Sequence, residues 1–255
     1  MTVYARFHWQ RGFTLLELML VLVMLGGMAM VAMQYRAYTL NQDDAIAQGY
    51  HDQIAAALYR YAARHYRLPC ADTNGDGFEG NGGDCGLASS NVVGGVPFLT
   101  LGMNEAQGFN KADRERFVYG VFRDFDADLA RLEERTGDES GSAGYLSLDD
   151  LRYALHSLGQ QDFDNEHIYV TGDEQQAGAA DCSGNPIANL AFFVAYAGTR
   201  DADRNGQPFD GENSSLRWPS GGGLCVSGPL TAQGEQYDDA VIAVGFAELL
   251  GYLSQ

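Results

Sequence analysis

The sequence predicts an α+β fold in which one long N-terminal helix, membrane-spanning in its first half, packs on an antiparallel β-sheet with loop and helical insertions. Three observations predict it. Residues 13–33 are predominantly apolar, residues 46–65 keep large side chains at steps of three and four, and four short β-branched or aromatic runs follow. A long helical pattern followed by separate strand-like runs is typical of the α+β class.

The apolar segment has the length of a membrane span. It contains about 20 residues, and a helix that rises about 1.5 Å per residue would cover about 30 Å, the thickness of a bilayer core. Arg6 and Arg11 precede it and no acidic residue does, so the positive-inside rule places the leader in the cytoplasm and the remainder outside. A secretory signal would have a shorter apolar region that ends in small residues, so we expect this segment to be retained.

One carboxylate, Glu17, lies one turn into this apolar helix. Intramembrane ionisable groups usually have a partner. Cleavage after Gly12 would create an α-amine on Phe13, one helical turn before Glu17, and that amine could pair with Glu17 of the same chain or of a neighbouring subunit. The alternative is a signal-anchor helix in which Glu17 lies near the headgroups and has no role.

The run Arg11-Gly12-Phe13-Thr14-Leu15-Leu16-Glu17 resembles the class III signal of type IV pilins and type II secretion pseudopilins. The resemblance implies a leader peptide over residues 1–12, cleavage after Gly12 by the prepilin peptidase, methylation of the new amino terminus at Phe13, and a role for Glu17 in subunit docking. It covers residues 11 to 35. The rest of the chain fits this family at the level of architecture, as a pilin-like fold.

The pattern predicts that the helix continues past the membrane. Residues 13–33 form its transmembrane half, and residues 34–68 form an amphipathic half whose stripe includes Ile54 and Leu58. Pro69 is the expected stop, because the residue before a proline resists the helical region. The remainder, residues 69–255, is predicted to be one extracytoplasmic globular head.

Within the head, the alternation of residue types predicts four strands and three helices. The strands are expected at Phe117–Phe122, His167–Thr171, Leu190–Ala197 and Ala240–Val244. The helices are expected at Asp126–Arg135, Leu148–Leu158 and Phe246–Leu253. Ser147 and Asp150 have the spacing of a capping box for the second of these helices.

Charge and cysteine content limit the classes of function that the protein can have. The formal net charge of −18 disfavours nucleic-acid binding, which needs a basic surface for phosphate contacts. All four cysteines lie in the part predicted to be outside, where disulfides form. Pairing in chain order is the simplest of the three possible connectivities. It would join Cys70 to Cys85 and Cys182 to Cys225, and no spacing resembles a zinc site.

Two acidic loops are candidate calcium sites. The first matches the pattern D-x-[DN]-x-[DN]-G with a glutamate six residues after the glycine. Its expected ligands are Asp201, Asp203, Asn205, the backbone carbonyl of Gln207, and Glu212. The second loop, with Asp72, Asn74 and Asp76, has the same opening but lacks the final glutamate. The alternative for both loops is an Asp/Gly-rich connection without a metal.

No catalytic motif is recognisable. The sequence lacks G-x-S-x-G, H-E-x-x-H and a phosphate-binding glycine loop. The adjacent carboxylates Asp238 and Asp239 are interpreted as helix-capping and surface charge. We therefore expect a protein that is not an enzyme.

The resemblance implies a minor type IV pilin-like subunit, held in the bacterial inner membrane by a single span with a periplasmic head. Its expected partners are the prepilin peptidase and methyltransferase, other pilin or pseudopilin subunits, and the inner-membrane assembly platform. It would then assemble into, or prime, a pilus filament. The alternatives are a minor pseudopilin of a type II secretion system and a calcium-dependent tip adhesin.

Overall fold

The computed structural model describes residues 15–87, 92–103, 111–125, 127–135, 146–172, 182, 185–231, 233–234 and 236–255. Within these, it places the backbone but not the side chains of residues 36–48, 111 and 113. The chain divides into two compact units, residues 1–45 and 46–255, and each is described by itself. The fold class is α+β, as the sequence predicts.

Helix α1, Leu15–His65, ends three residues before its predicted limit at residue 68. It ends before Pro69 because Tyr66 adopts a left-handed conformation, with φ of 58°. The Tyr66 amide donates to the carbonyl of Ala62, which satisfies one of the last carbonyls of the helix. A single left-handed residue therefore terminates α1 three residues earlier than the proline requires.

The described part of the first unit is helical, and most of it is apolar. Its segment Leu15–Tyr35 has a mean hydropathy of 2.3, and all of its side chains are exposed. It is long and apolar enough to cross a membrane, or to act as a signal sequence.

A four-stranded antiparallel sheet forms the centre of the second unit. Its spatial order is β1 (Val93–Gly95), β2 (Phe117–Val121), β5 (Phe192–Tyr196) and β7 (Ala240–Val244). Three of these strands confirm the sequence prediction, and β1 was not predicted. Every residue of β2 and β5 is buried, so both faces of this central strand pair are covered.

A second, smaller sheet was not predicted. It contains β3 (Tyr169–Thr171), β4 (Pro186–Asn189) and β6 (Cys225–Ser227), in the order β4-β3-β6. The run predicted at His167–Thr171 is therefore a strand, but it belongs to this sheet. Strands β3 and β6 pair in parallel, which requires a long connection between them. Such a long-range pairing has no signature in a local sequence window.

The second half of α1 packs on one face of the central strands. Ile54 and Leu58 are fully buried in this core. The rings of Tyr50 and Tyr59 make edge contacts with Phe117 on β2 and Phe192 on β5, at centroid distances of 5.9 and 5.7 Å. The second half of α1 thus contacts both β2 and β5 through aromatic side chains.

The remaining helices are α2 (Lys111–Arg114), α3 (Leu148–Leu158) and α4 (Phe246–Leu253). The bounds of α3 and α4 match the prediction, and α3 packs against α4. The capping box is present, since the Ser147 amide donates to Asp150 at 2.9 Å.

The helix predicted at Asp126–Arg135 is wrong, because residues 127–135 form no helix. Here tertiary contacts compete with the helical hydrogen bonds. Asp128 forms a buried ion pair with Arg123 and accepts a hydrogen bond from the amide of Ala130 at 2.9 Å. The carbonyl of Leu129 accepts a hydrogen bond from the amide of Leu68 at 2.8 Å.

Gly120 on β2 provides a test of the core packing. A Cβ at this position would lie 2.1 Å from the ring of Phe193, its cross-strand partner. We expect Gly120→Ala to lower the free energy of unfolding by about 1 to 3 kcal/mol. Gly251→Ala on α4 meets open space and should raise it by about 0.5 kcal/mol. Urea unfolding of the full-length protein in detergent measures the free energy of unfolding of both variants. If Gly120→Ala and Gly251→Ala change it equally, the packing described around Gly120 is contradicted.

His51 on α1 predicts a pH dependence. It is 4% exposed, its Nε2 atom has no hydrogen-bond partner in the described chain, and burial lowers its pKa from 6.5 to about 4 despite nearby Asp52. As the pH falls, the unfolded chain therefore binds a proton at His51 before the folded protein does. The free energy of unfolding consequently falls as the pH drops from about 6.5 to 4. Relative to His51→Leu, the wild type should lose about 3 kcal/mol over this range.

The measurement is the free energy of unfolding at several pH values. Comparing the two proteins cancels titrations that they share, including that of Asp210, whose pKa is raised to about 6 and acts in the opposite direction. His156→Leu is the control because His156 is exposed on α3. A pH profile for His51→Leu that is parallel to the wild type would exclude His51 as the origin.

Candidate functional site

Glu17 is the one described member of the predicted processing and docking group. It lies in the first turn of α1, between the exposed side chains of Leu16 and Leu18. Gly12 and Phe13 lie outside the described residues, and their roles stay predictions.

Both disulfides join the cysteines in chain order, as the simplest pairing predicts. Cys70 is bonded to Cys85 and Cys182 to Cys225. The first closes the loop that follows α1, and the second links the segment before β4 to the first residue of β6. The first bond constrains a loop with little regular structure of its own, whereas the second closes a segment that contains β4 and β5.

A charged pair stabilises the first of these loops from the inside. Glu79 accepts two hydrogen bonds from the guanidinium of Arg67, each at 2.7 Å, and a third from the hydroxyl of Tyr61 at 3.3 Å. Its Oε2 atom also accepts the amide of Cys70 at 3.3 Å. The side chains of Arg67 and Glu79 are only 21% and 12% exposed, so the pair is largely removed from water.

The loop with Asp72, Asn74 and Asp76 uses its side-chain oxygens on its own backbone. Asp72 accepts the amides of Asn74, Gly75 and Gly77, at 3.2, 2.7 and 2.7 Å. Asn74 accepts the amide of Asp76 at 3.1 Å. Burial raises the pKa of Asp72, and these backbone donors oppose the shift.

Within the described residues, three side chains of the kinds that bind metals lie close together near this loop. They are Cys70, Glu79 and Cys85. The two cysteines are bonded to each other, so this group does not present two thiolates. Calcium at Asp72, Asn74 and Asp76 stays a prediction.

The loop that begins at Asp201 has the turn expected of a calcium loop. The carboxylate of Asp201 accepts the amides of Asn205 and Gly206 at 3.0 and 2.9 Å, and Asn205 accepts the amide of Gln207 at 2.7 Å. Gly206 has φ of 79°, a conformation that suits glycine at the sharp turn of such a loop.

The acidic residue that completes this group differs from the sequence prediction. Asp201, Asp203 and Asp210 each offer one oxygen, and these oxygens lie within 4.8 Å of one another. Glu212 is not part of the group. It is 2% exposed and lies in a 3-10 helix, Gly211–Ser215. The roles of Asp201, Asp203, Asn205, Gln207 and Glu212 as calcium ligands therefore stay predictions.

Asp238 and Asp239 are not surface charge, contrary to the sequence interpretation. With Asp210 they form a second group of oxygens within 4.8 Å of one another, and the three residues are 0%, 8% and 1% exposed. Asp210 thus belongs to both groups. We name Asp210, Asp238 and Asp239 the buried triad.

Burial dominates the electrostatics of the buried triad. Burial raises the pKa of Asp210 to about 6, with a further contribution from the nearby carboxyl of Asp238. Burial also raises the pKa of Asp239 well above its ordinary value, and hydrogen bonds from Asn213 and the Asp210 amide oppose that shift. Arg200 donates to Oδ2 of Asp238 from its amide at 3.0 Å and from Nε at 3.3 Å.

A buried polar network holds the triad in position. Asn213 Nδ2 lies 3.0 Å from Asp239 and 3.0 Å from the hydroxyl of Ser227, and Asn213 Oδ1 accepts the Ser227 amide at 2.9 Å. The hydroxyl of Tyr237 lies 2.5 Å from that of Ser227. These contacts connect the 3-10 helix, β6 and the segment before β7, which are far apart in sequence.

Comparison of the chain with models of protein families, with curated proteins and with solved structures found no match.

The Arg67–Glu79 pair yields a stability prediction. Glu79→Gln removes the negative charge and leaves the guanidinium of Arg67 in a largely buried site, so the free energy of unfolding should fall by about 2 to 3 kcal/mol. Glu166→Gln is the matched control because Glu166 is exposed, and it should change stability by less than about 0.5 kcal/mol. Denaturant unfolding measures the stability of both variants. If Glu79→Gln leaves the free energy of unfolding unchanged, the ion pair contributes nothing to stability.

Proposed function

We propose that this protein is a minor type IV pilin-like subunit, processed by the prepilin peptidase and assembled into, or priming, a pilus filament. The observation that carries the proposal is the position of Glu17, in the first turn of a bilayer-length apolar helix and four residues after Phe13 of the run Arg11-Gly12-Phe13. Supporting it are the exposed apolar side chains along this segment, which need either lipid or other helices as neighbours.

The proposed mechanism begins with cleavage after Gly12 and methylation of Phe13. The released α-amine of Phe13 would then be the cation that an intramembrane carboxylate requires. In a filament core, Glu17 of an incoming subunit docks on the Phe13 amine of a neighbour. A charge left unpaired in that apolar surrounding is costly, so the pair favours one register of docking.

The remaining chain supports an extracytoplasmic location. Two disulfides suit an oxidising compartment, and both lie C-terminal to the apolar segment. In this proposal the inner membrane holds the span, the head lies in the periplasm, and the assembly platform adds the subunit to other pilins. This assembly role needs no catalytic residue.

A minor pseudopilin of a type II secretion system is the second candidate. The same processing signal serves both systems, and the acidic groups around Asp210 favour a head with metal-stabilised loops of the kind the resemblance implies. A calcium-dependent tip adhesin is a third candidate, for which calcium would have to change surface attachment together with thermal stability.

Glu17→Ala tests the proposal in cells. We expect normal membrane insertion and an amino terminus at methylated Phe13 by mass spectrometry, but about tenfold less subunit in sheared filaments, because the docking pair is lost. Glu166→Ala makes the same change on the exposed head and should assemble like the wild type. An intact Met1 in the wild type would refute processing, and normal incorporation of Glu17→Ala would refute the docking role.

A further inference from the structure

We propose that Asn81 is a site of spontaneous modification, at which the side-chain amide is converted to a carboxyl group, and that the fold protects the two other Asn–Gly bonds of the chain from the same reaction. The three bonds are Asn74–Gly75, Asn81–Gly82 and Asn205–Gly206. The modification is separate from the filament-docking role of Glu17 and does not depend on it.

The reaction needs no partner other than water. The backbone nitrogen that follows an asparagine loses its proton and attacks Cγ of the asparagine side chain. The new bond from this nitrogen to Cγ closes a succinimide ring, the bond from Cγ to Nδ2 breaks, and Nδ2 takes up a proton and leaves as ammonia. Water then opens the ring at either carbonyl, which gives aspartate or isoaspartate. Glycine hinders the attack least because it has no side chain.

Two of the three glycine nitrogens are held by carboxylates. Gly75 donates to Oδ1 of Asp72 at 2.7 Å, and Gly206 donates to Oδ2 of Asp201 at 2.9 Å. This hydrogen bond to a charged acceptor must break before either nitrogen can attack. The negative charge beside each nitrogen also opposes the loss of its proton. The nitrogens of Gly75 and Gly206 are therefore less reactive than a free amide.

The asparagine side chains of the same two loops are also held. Asn74 donates from Nδ2 to Asp76 at 2.8 Å, and its Oδ1 accepts the Asp76 amide at 3.1 Å. Asn205 donates from Nδ2 to Asp203 at 2.7 Å, and its Oδ1 accepts the amide of Gln207 at 2.7 Å. For Cγ to be attacked, the side chain must rotate towards the following nitrogen. In both loops this rotation would break hydrogen bonds at both ends of the side-chain amide.

The bond between Asn81 and Gly82 lacks these restraints. Among the residues that the structure describes, no acceptor binds the amide of Gly82 or Nδ2 of Asn81. The side chain of Asn81 is held by one hydrogen bond, which its Oδ1 accepts from Nδ2 of Asn74 at 3.0 Å. All three asparagines are exposed to water, so hydrogen bonding rather than burial distinguishes Asn81 from the other two.

The turn that follows Asn81 gives the modification a structural consequence. Asn81 and Asp84 exchange backbone hydrogen bonds at 3.0 and 3.4 Å, across two glycines that both have positive φ. Isoaspartate adds one methylene group to the backbone of this turn. Space is limited here, because a Cβ on Gly80 would lie 2.0 Å from the carbonyl oxygen of Asp84. The isoaspartyl form therefore loses the pairing of residues 81 and 84, inside the ring that the bond between Cys70 and Cys85 closes.

The experiment incubates the full-length protein in detergent at mildly alkaline pH, with a chelator present. After digestion of samples taken over time, mass spectrometry with electron-transfer fragmentation measures aspartate and isoaspartate at each position. We expect Asn81 to be modified about tenfold faster than Asn74 or Asn205, because those two sites must first lose a hydrogen bond to a charged acceptor. Equal rates at the three positions, or a faster rate at Asn74 or Asn205, would overturn the proposal.

The same protein, unfolded in urea with its disulfides reduced, is the reference. Without the folded contacts, all three Asn–Gly bonds should react at similar rates, because the local chemistry is the same. Folding should then slow the reaction at Asn74 and Asn205 and leave the rate at Asn81 close to its unfolded value. A folded protein that slows all three positions to the same extent would refute the assignment of Asn81.

Two variants test the cause of the difference. Asp201→Asn removes the charge of an exposed carboxylate and replaces one of its two accepting oxygens with a donor, so the rate at Asn205 should rise about tenfold. The rate at Asn81 is the internal control and should not change. Asn81→Gln keeps an amide but would have to close a larger ring, so the fast modification should disappear. An unchanged rate at Asn205 in Asp201→Asn would show that the carboxylate does not protect this bond.

Discussion

The contact between α1 and the central strands β2 and β5 is the interaction on which the described head depends. Both strands are buried on both faces, and one of those faces is covered by the apolar stripe that includes Ile54 and Leu58. Because the same helix begins as an apolar, membrane-length segment, its sequence serves two environments in turn. The stripe must match a pleated sheet, whereas the first half must match lipid or other helices.

Local patterns predicted those elements whose stabilising contacts agree with their own sequence. Helix α3 was predicted because its burial follows the helical period and Ser147 caps it as its residue type suggests. Strands β2, β5 and β7 were predicted because their short runs are rich in β-branched, aromatic and other apolar residues. The segment around Asp128 failed for the opposite reason. An ion pair with Arg123 and a backbone hydrogen bond from Leu68 replace the helical contacts here, and Leu68 lies outside any local sequence window.

The loop at Asp201 and the buried triad also differ in how far the sequence predicts them. The turn at Gly206 follows from spacing within the loop, and the sequence identified it. The buried triad does not follow from spacing within a loop. The sequence suggests that Asp238 and Asp239 are exposed charges, whereas the fold places them beside Gly198 and Asp210. The one usable signal was an aspartate pair directly before a predicted strand, and adjacency alone does not distinguish a solvated pair from a buried one. Only the tertiary fold creates that site.

The parallel pairing of β3 with β6 has a consequence for how the head is made. Residues 169–171 complete their pairing only when residues 225–227 are available, and the Cys182–Cys225 bond must wait equally long. Pairings between distant segments form slowly because loop closure precedes any gain in contacts. In chain order the stripe on α1 precedes both strands that it contacts, β2 and β5. Until these pairings form, apolar side chains of the head stay exposed, and the incompletely folded chain is prone to aggregate.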